Sequence, residues 1–162
     1  MTKGTNTWLV RTALLAALYV ALTLSFSAFS YGPIQFRISE VLVLLPLWNK
    51  RWAAGVVIGT IIANFFSPLG LIDVVFGSGA TMVALGFMVF IAAVAGRGVA
   101  LLAPILINAL IIAAELNIVY GVNYIESAWY VGLSEFIIVT IGLFILKAME
   151  KQPYIKSIME AN

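Results

Sequence analysis

Residues 35–51 read QFRISEVLVLLPLWNKR, and the fold turns on where this stretch is placed. Its apolar part, 38–48, has about eleven residues and ends in Pro46-Leu47-Trp48, whereas a helix crossing a bilayer needs about 20. By length alone it reads as a re-entrant or buried segment. Five other apolar runs flank it, near 8–29, 52–66, 74–95, 99–119 and 127–148. Short turn signals divide them: Tyr31-Gly32-Pro33, Asn49-Lys50-Arg51, Ser67-Pro68-Leu69-Gly70, Gly96-Arg97-Gly98 and Gly121-Val122-Asn123. Charge argues against length. With six crossings and an inside N-terminus, Lys3, Arg11, Lys50, Arg51, Arg97, Lys147, Lys151 and Lys156 all lie inside, and only Arg37 falls outside. If the stretch did not cross, most of these cations would move outside, against the positive-inside rule. The expectation is therefore an all-α membrane protein: a bundle of six transmembrane helices with both termini cytoplasmic, residues 1–162 forming one domain. The run 38–48 would cross as a short helix extended by the less apolar stretch Ile34 to Glu40.

Composition supports the membrane. Of 162 residues 63% are apolar and 10% charged, with a mean hydropathy of +1.09. A water-facing domain carries roughly 25% charged residues, so a soluble reading is excluded. The first run is too long for a cleavable signal peptide and is expected to be a retained helix from Trp8 to Phe29. With neither Cys nor His, the usual thiolate nucleophile, general base and metal ligand are missing. An enzyme is not expected, nor is a cofactor or a metal. The net charge of +2 is spread along the chain, which is no nucleic-acid footprint.

With six crossings, five of the seven carboxylates, Glu40, Asp73, Glu115, Glu126 and Glu135, would lie in external loops or the outer parts of helices, together with one arginine, Arg37. A charge in hydrocarbon costs at least ~2.5–3.5 kcal/mol and usually faces a cavity or a partner. Asn108, Ile112 and Glu115 are spaced i, i+4, i+7, which puts amide and carboxylate on one helix face. Ala128, Gly132, Glu135, Val139 and Gly142 form a stripe of mostly small residues that leaves room beside Glu135. Either Glu115 and Glu135 hold a ligand, or the stripe is close helix packing with Glu135 paired to Arg37. Asp73 reads as a helix N-cap or as a cavity wall. Gly77 and Gly79 just after it let a backbone or a ligand approach closely. Trp129 and Tyr130 suit an interfacial aromatic belt or stacking on a substrate ring.

In the first run Ala13, Ala17 and Ala21 recur every fourth residue. They make a smooth face for packing within the chain or for docking another membrane protein. No G-x-x-x-x-G-K-[ST] phosphate loop is present, so energy for uphill transport would come from a partner or an ion gradient.

Gln35-Phe36-Arg37-Ile38-Ser39-Glu40, running into Val41-Leu42-Val43-Leu44-Leu45-Pro46-Leu47, resembles the signature of QueT-type queuosine-precursor transporters, which are S-components of energy-coupling factor (ECF) transporters. Asp73-Val74-Val75-Phe76-Gly77-Ser78 is similar to the same family's fourth-helix start. The alanine triplet resembles the motif by which S-components dock. The resemblance extends over essentially the whole chain and is most specific at Gln35–Glu40. It implies a six-helix subunit in the cell membrane that captures a 7-deazaguanine precursor or queuine outside. Through Ala13, Ala17 and Ala21 it would dock on a transmembrane coupling protein carrying two ATPase subunits, and topple to release its load inward.

The residue chemistry fits such a ligand. A guanine-like edge offers adjacent N–H donors, and a carboxylate accepts two in parallel. Glu115 or Glu135 is expected to grip that edge, with Asp73 close by. Asn108, Gln35 or Arg37 would donate to the ring oxygen, and Trp129, Tyr130 or Phe76 would stack on the base. Arg37 to Glu40 would close over it. The alternatives are an S-component for a different vitamin, or a small membrane protein with a role other than transport.

Overall fold

The structure, a computed structural model, describes residues 3–32 and 34–160; Pro33 of the expected Tyr31-Gly32-Pro33 turn lies outside the described residues, as does the side chain of Lys3. In chain order the elements are α1 (Lys3–Ser25), α2 (Ser27–Ser30), a 3-10 helix (Ile38–Leu47), α3 (Trp52–Asn64), α4 (Leu71–Ala95), α5 (Arg97–Ala100), α6 (Leu102–Tyr120), α7 (Tyr124–Glu150) and α8 (Pro153–Met159).

Among the described residues, four segments are long and apolar enough to cross a membrane: Thr7–Ser25, Leu71–Ala95, Arg97–Tyr120 and Tyr124–Glu150. This corrects the expectation of six transmembrane helices. The two remaining apolar runs are short, the ten residues of Ile38–Leu47 and the thirteen of Trp52–Asn64. At about 2.0 and 1.5 Å of rise per residue each is roughly 20 Å long, against a hydrocarbon core of about 30 Å. Charge bias sorts the loops by sign but does not measure the segments between them. Large apolar side chains such as Leu14, Phe87, Phe90 and Phe144 face outward along the spans, as a hydrocarbon environment allows. The chain is a multi-pass membrane protein.

The 3-10 helix is the central element. Residues apolar on every side call for burial, and Leu42, Val43, Leu44, Pro46 and Leu47 are buried among α1, α3, α4 and α7. Gly142 of α7 admits it: a Cβ there would lie 3.1 Å from Val41 Cα. Close approach recurs between α1 and α3, where a Cβ on Gly59 would lie 2.7 Å from Tyr19 Cβ and 3.0 Å from the Ala16 carbonyl oxygen.

The face of α1 that meets α3 carries Thr12, Leu15, Ala16 and Tyr19, all buried, whereas Ala13, Ala17 and Ala21 are exposed. The alanine triplet thus takes no part in packing the bundle.

One end is closed by polar clasps. Trp52 Nε1 donates to the Met159 carbonyl at 2.8 Å, Asn49 Nδ2 reaches the Glu160 carbonyl at 3.4 Å, and Arg97 lies over the Trp48 ring at 5.5 Å. Lys50, Arg51, Lys147, Lys151 and Lys156 are exposed around it.

Candidate functional site

At the other end the 3-10 helix opens into a buried polar cluster. Gln35 stands at φ 54°, a left-handed conformation that a side chain disfavours. Ser134 of α7 holds it there by donating to its carbonyl at 3.1 Å. Such strain persists where the surroundings over-determine it, commonly at functional sites. Two residues on, Arg37 is 5% exposed. It donates to Asn64 Oδ1 at 3.0 Å and to Gln35 Oε1 at 3.4 Å, approaches Asp73 Oδ2 at 3.8 Å, and lies over the Tyr31 ring at 5.6 Å. Asn64 fixes the pair from α3, its Nδ2 donating to the Asp73 carbonyl at 3.1 Å and to Ser78 Oγ at 3.2 Å. Gly77 is required here, because a Cβ would fall on Asp73 Oδ1 and lie 2.7 Å from Asn64 Nδ2.

Asp73 is not the N-cap of α4. Gly70 takes that position and no side chain caps it, so Asp73 sits in the first turn, where the helix dipole favours a carboxylate. Nor does Arg37 pair with Glu135, as the packing alternative required. Glu135 Oε1 instead accepts from Asn108 Nδ2 at 2.9 Å, across α6 and α7. Glu40 Oε1 accepts from Tyr19 OH at 2.5 Å.

What distinguishes the cluster is how much of it has no partner. Glu40 Oε2, both oxygens of Glu115, Glu135 Oε2 and Asn108 Oδ1 are buried without a hydrogen bond, and Asp73 has only its ion pair. Glu40, Asp73, Glu115 and Glu135 are each 5% exposed or less, with Arg37 the buried cation among them. Buried polar atoms are normally satisfied, and each one left open costs about 1–3 kcal/mol.

Gln35, Arg37, Glu40, Gly77, Thr81, Asn108, Ile112, Val131 and Glu135 line a cavity of about 10 Å³, room for roughly one water molecule. Farther out, a pocket of about 400 Å³ is walled by Tyr31, Leu116, Tyr120, Val122, Asn123, Glu126, Ser127 and Tyr130. Tyr31 thus stands between the Arg37 cluster and the outer pocket, donating to the Ala63 carbonyl at 2.5 Å. Burial raises its phenol above the ordinary tyrosine range, so it stays a neutral donor.

Of the residues singled out in the sequence, Gln35, Arg37, Glu40, Asn108 and Glu135 meet at one cavity. Asp73 and Glu115 are buried beside it, and Tyr130 belongs to the outer pocket. Trp129 is 72% exposed and lines an open recess with Ile125 and Glu126. The sequence reading missed Tyr19, Tyr31, Asn64 and Ser134. Asn64 carried a signal, a lone amide within the apolar run 52–66; Tyr19 looked like one more aromatic.

A family model described as "QueT transporter" matches residues 9–151. The chain is similar to the "Queuosine precursor transporter QueT" of Lactococcus lactis subsp. cremoris (strain MG1363), 44% identical over 94 residues, which cover 56% of this chain and 55% of the relative. The match therefore spans only about half the length of that relative. No solved structure matches.

Proposed function

The chain belongs to the QueT transporter family, a family of transport proteins and not of enzymes, and from that premise we propose that it is the substrate-binding subunit of an ECF-type importer for a queuosine precursor. It captures a 7-deazaguanine derivative or queuine outside the cell and passes it inward after docking on a transmembrane coupling protein with two ATPase subunits. The name of the Lactococcus relative supports the substrate, and the polar cavity supports it chemically.

The observation that carries the reading is the acceptor pair left open at Glu135 Oε2 and Asn108 Oδ1. Glu135 and Asn108 are already bonded to each other, so their free oxygens form a fixed acceptor edge. A deazaguanine presents the matching donors on its six-membered ring, and a carboxylate strengthens such bonds. The amide nitrogen of Gln35 or the guanidinium of Arg37 donates to the ring oxygen.

A cavity with room for one water must open to admit a bicyclic base. The wall that opens is the stretch around Gln35 to Glu40, whose strained approach and partnerless Glu40 Oε2 mark it as unfinished without ligand. Tyr130 with Tyr31 and Tyr120 offers aromatic surface on the way in.

Docking is supported by two observations. The sequence has no phosphate loop of its own, and the face of Ala13, Ala17 and Ala21 lies exposed on α1. Trp129, on the outer surface, serves better as an interfacial anchor than as a stacking partner.

A thermal-shift panel of the purified protein against 7-deazaguanines, queuine and unrelated vitamins tests the substrate. Stabilisation by deazaguanines alone is expected; stabilisation by a vitamin alone would make this an S-component for that vitamin. Glu135→Gln should weaken deazaguanine binding about tenfold or more, since each 1.4 kcal/mol is a factor of ten.

A further inference from the structure

Glu115 is fully buried on α6 with neither carboxylate oxygen hydrogen-bonded. The one buried guanidinium nearby is already committed to Asn64, Gln35 and Asp73. On the same helix Asn108 and Ile112 line the small cavity, and Leu116 and Tyr120 line the outer pocket. Glu115 therefore lies between the two, roughly 10 Å along the helix from Asn108 at 1.5 Å per residue. A buried carboxylate without a partner is costly, so this position asks for a positive charge.

A metal ion does not fit the arrangement: among the described residues no three Asp or Glu side chains are grouped to hold one. The carboxylates are spread along the site rather than converging, which suits an extended organic cation. In a 7-deazaguanine the 7-substituent is on the five-membered ring, at the far end of the bicycle from the edge that Glu135 and Asn108 would take. An amine on that substituent points away from the gripped edge by about the length of the base. Resting on the functional reading above, we propose that Glu115 is the counter-charge for a protonated amine on the 7-substituent, so that the site selects cationic 7-deazaguanines over neutral ones.

The test compares 7-aminomethyl-7-deazaguanine with its neutral 7-cyano and 7-methyl counterparts, by calorimetry on the full chain in detergent. The wild type should bind the aminomethyl compound at least about tenfold tighter than either neutral one. In Glu115→Gln the preference should shrink towards one, with binding of the neutral compounds kept. That retained binding also reports a folded site, and if Glu115→Gln does not fold, Glu115→Met is read in the same way. Equal affinities in the wild type, or a preference unchanged in the variant, overturn the assignment while leaving the functional reading intact. If none of the three compounds binds, the functional reading fails and the assignment falls with it.

Discussion

The two ends of the bundle are finished to different degrees. Where α8 folds back, Trp52 reaches the Met159 carbonyl and Arg97 covers the Trp48 ring, and Trp48 Nε1 is buried there without a hydrogen bond, against several open carboxylate and amide oxygens at the other end. Between α1 and α3 the packing leaves no space for a methyl group at Gly59. At the opposite end a strained Gln35, the carboxylates of Glu40 and Glu135 and one guanidinium line a cavity with open acceptors, and Asp73 and Glu115 are buried beside it. A folded protein tolerates such a region only if the well-packed one supplies the stability. The contrast separates residues whose contacts hold the protein together from residues whose open groups the proposed ligand would fill.

The strongest way to break that contrast is to remove Arg37. It stands among Glu40, Asp73, Glu115 and Glu135, and taking one partner from a buried ion pair costs about 3–5 kcal/mol. Arg37→Met should therefore lower the thermal unfolding temperature more than any other change at the site. An unchanged midpoint would mean that the carboxylates carry no charge for Arg37 to offset. Next in size is Gly59→Ala, for which overpacking against Tyr19 and the Ala16 backbone costs about 1–3 kcal/mol. Gly79→Ala, also in a helix but with nothing within 4 Å of the added Cβ, should leave the midpoint level or raise it slightly. If the two substitutions behave alike, the α1–α3 contact is not the anchor described.

Much of this division was legible in the sequence, because sign and polarity are written there. Cations and carboxylates could be assigned to opposite ends, and Asn108, Ile112 and Glu115 did fall on one buried face, since helical spacing is a local property. What failed was the charge argument for six crossings, which overrode the short length of the run. A run such as Ile38–Leu47 keeps its apolar character whether it crosses a membrane or is enclosed by other helices, and only packing distinguishes the cases. Partnership failed similarly: Asp73 beside glycines reads as a cap, yet Gly70 takes the N-cap position and Asn64, from another helix, draws Asp73 to Arg37. Tyr19 could not be read as a site residue because its hydroxyl partner is Glu40, 21 positions away.

A smaller effect sharpens the comparison by its sign. Glu135→Gln replaces a buried carboxylate, half of whose capacity is unused, with a neutral amide of the same shape. Without ligand it should raise stability by about 1 kcal/mol, as functional groups held at a cost often do when removed. In the same protein deazaguanine affinity should fall. A lower ligand-free midpoint would place Glu135 with the packing residues and not with those whose groups the proposed ligand would fill.

The smallest expected effect on stability belongs to Ala17→Trp. Ala17 is exposed on α1 and faces away from Gly55 and Gly59, so a large side chain there meets no part of the bundle. Surface changes of this kind usually stay within about 0.5 kcal/mol, and both the unfolding midpoint and deazaguanine binding should be unchanged. Co-purification with the proposed coupling protein and ATPases should nevertheless be lost, because a smooth face built on small residues no longer admits a second helix at close range. The dissociation of the two readouts is what gives the test its force. If stability drops, Ala17 belongs to the well-packed region after all; if both stability and co-purification survive, the partner docks elsewhere and the exposed alanines face only lipid.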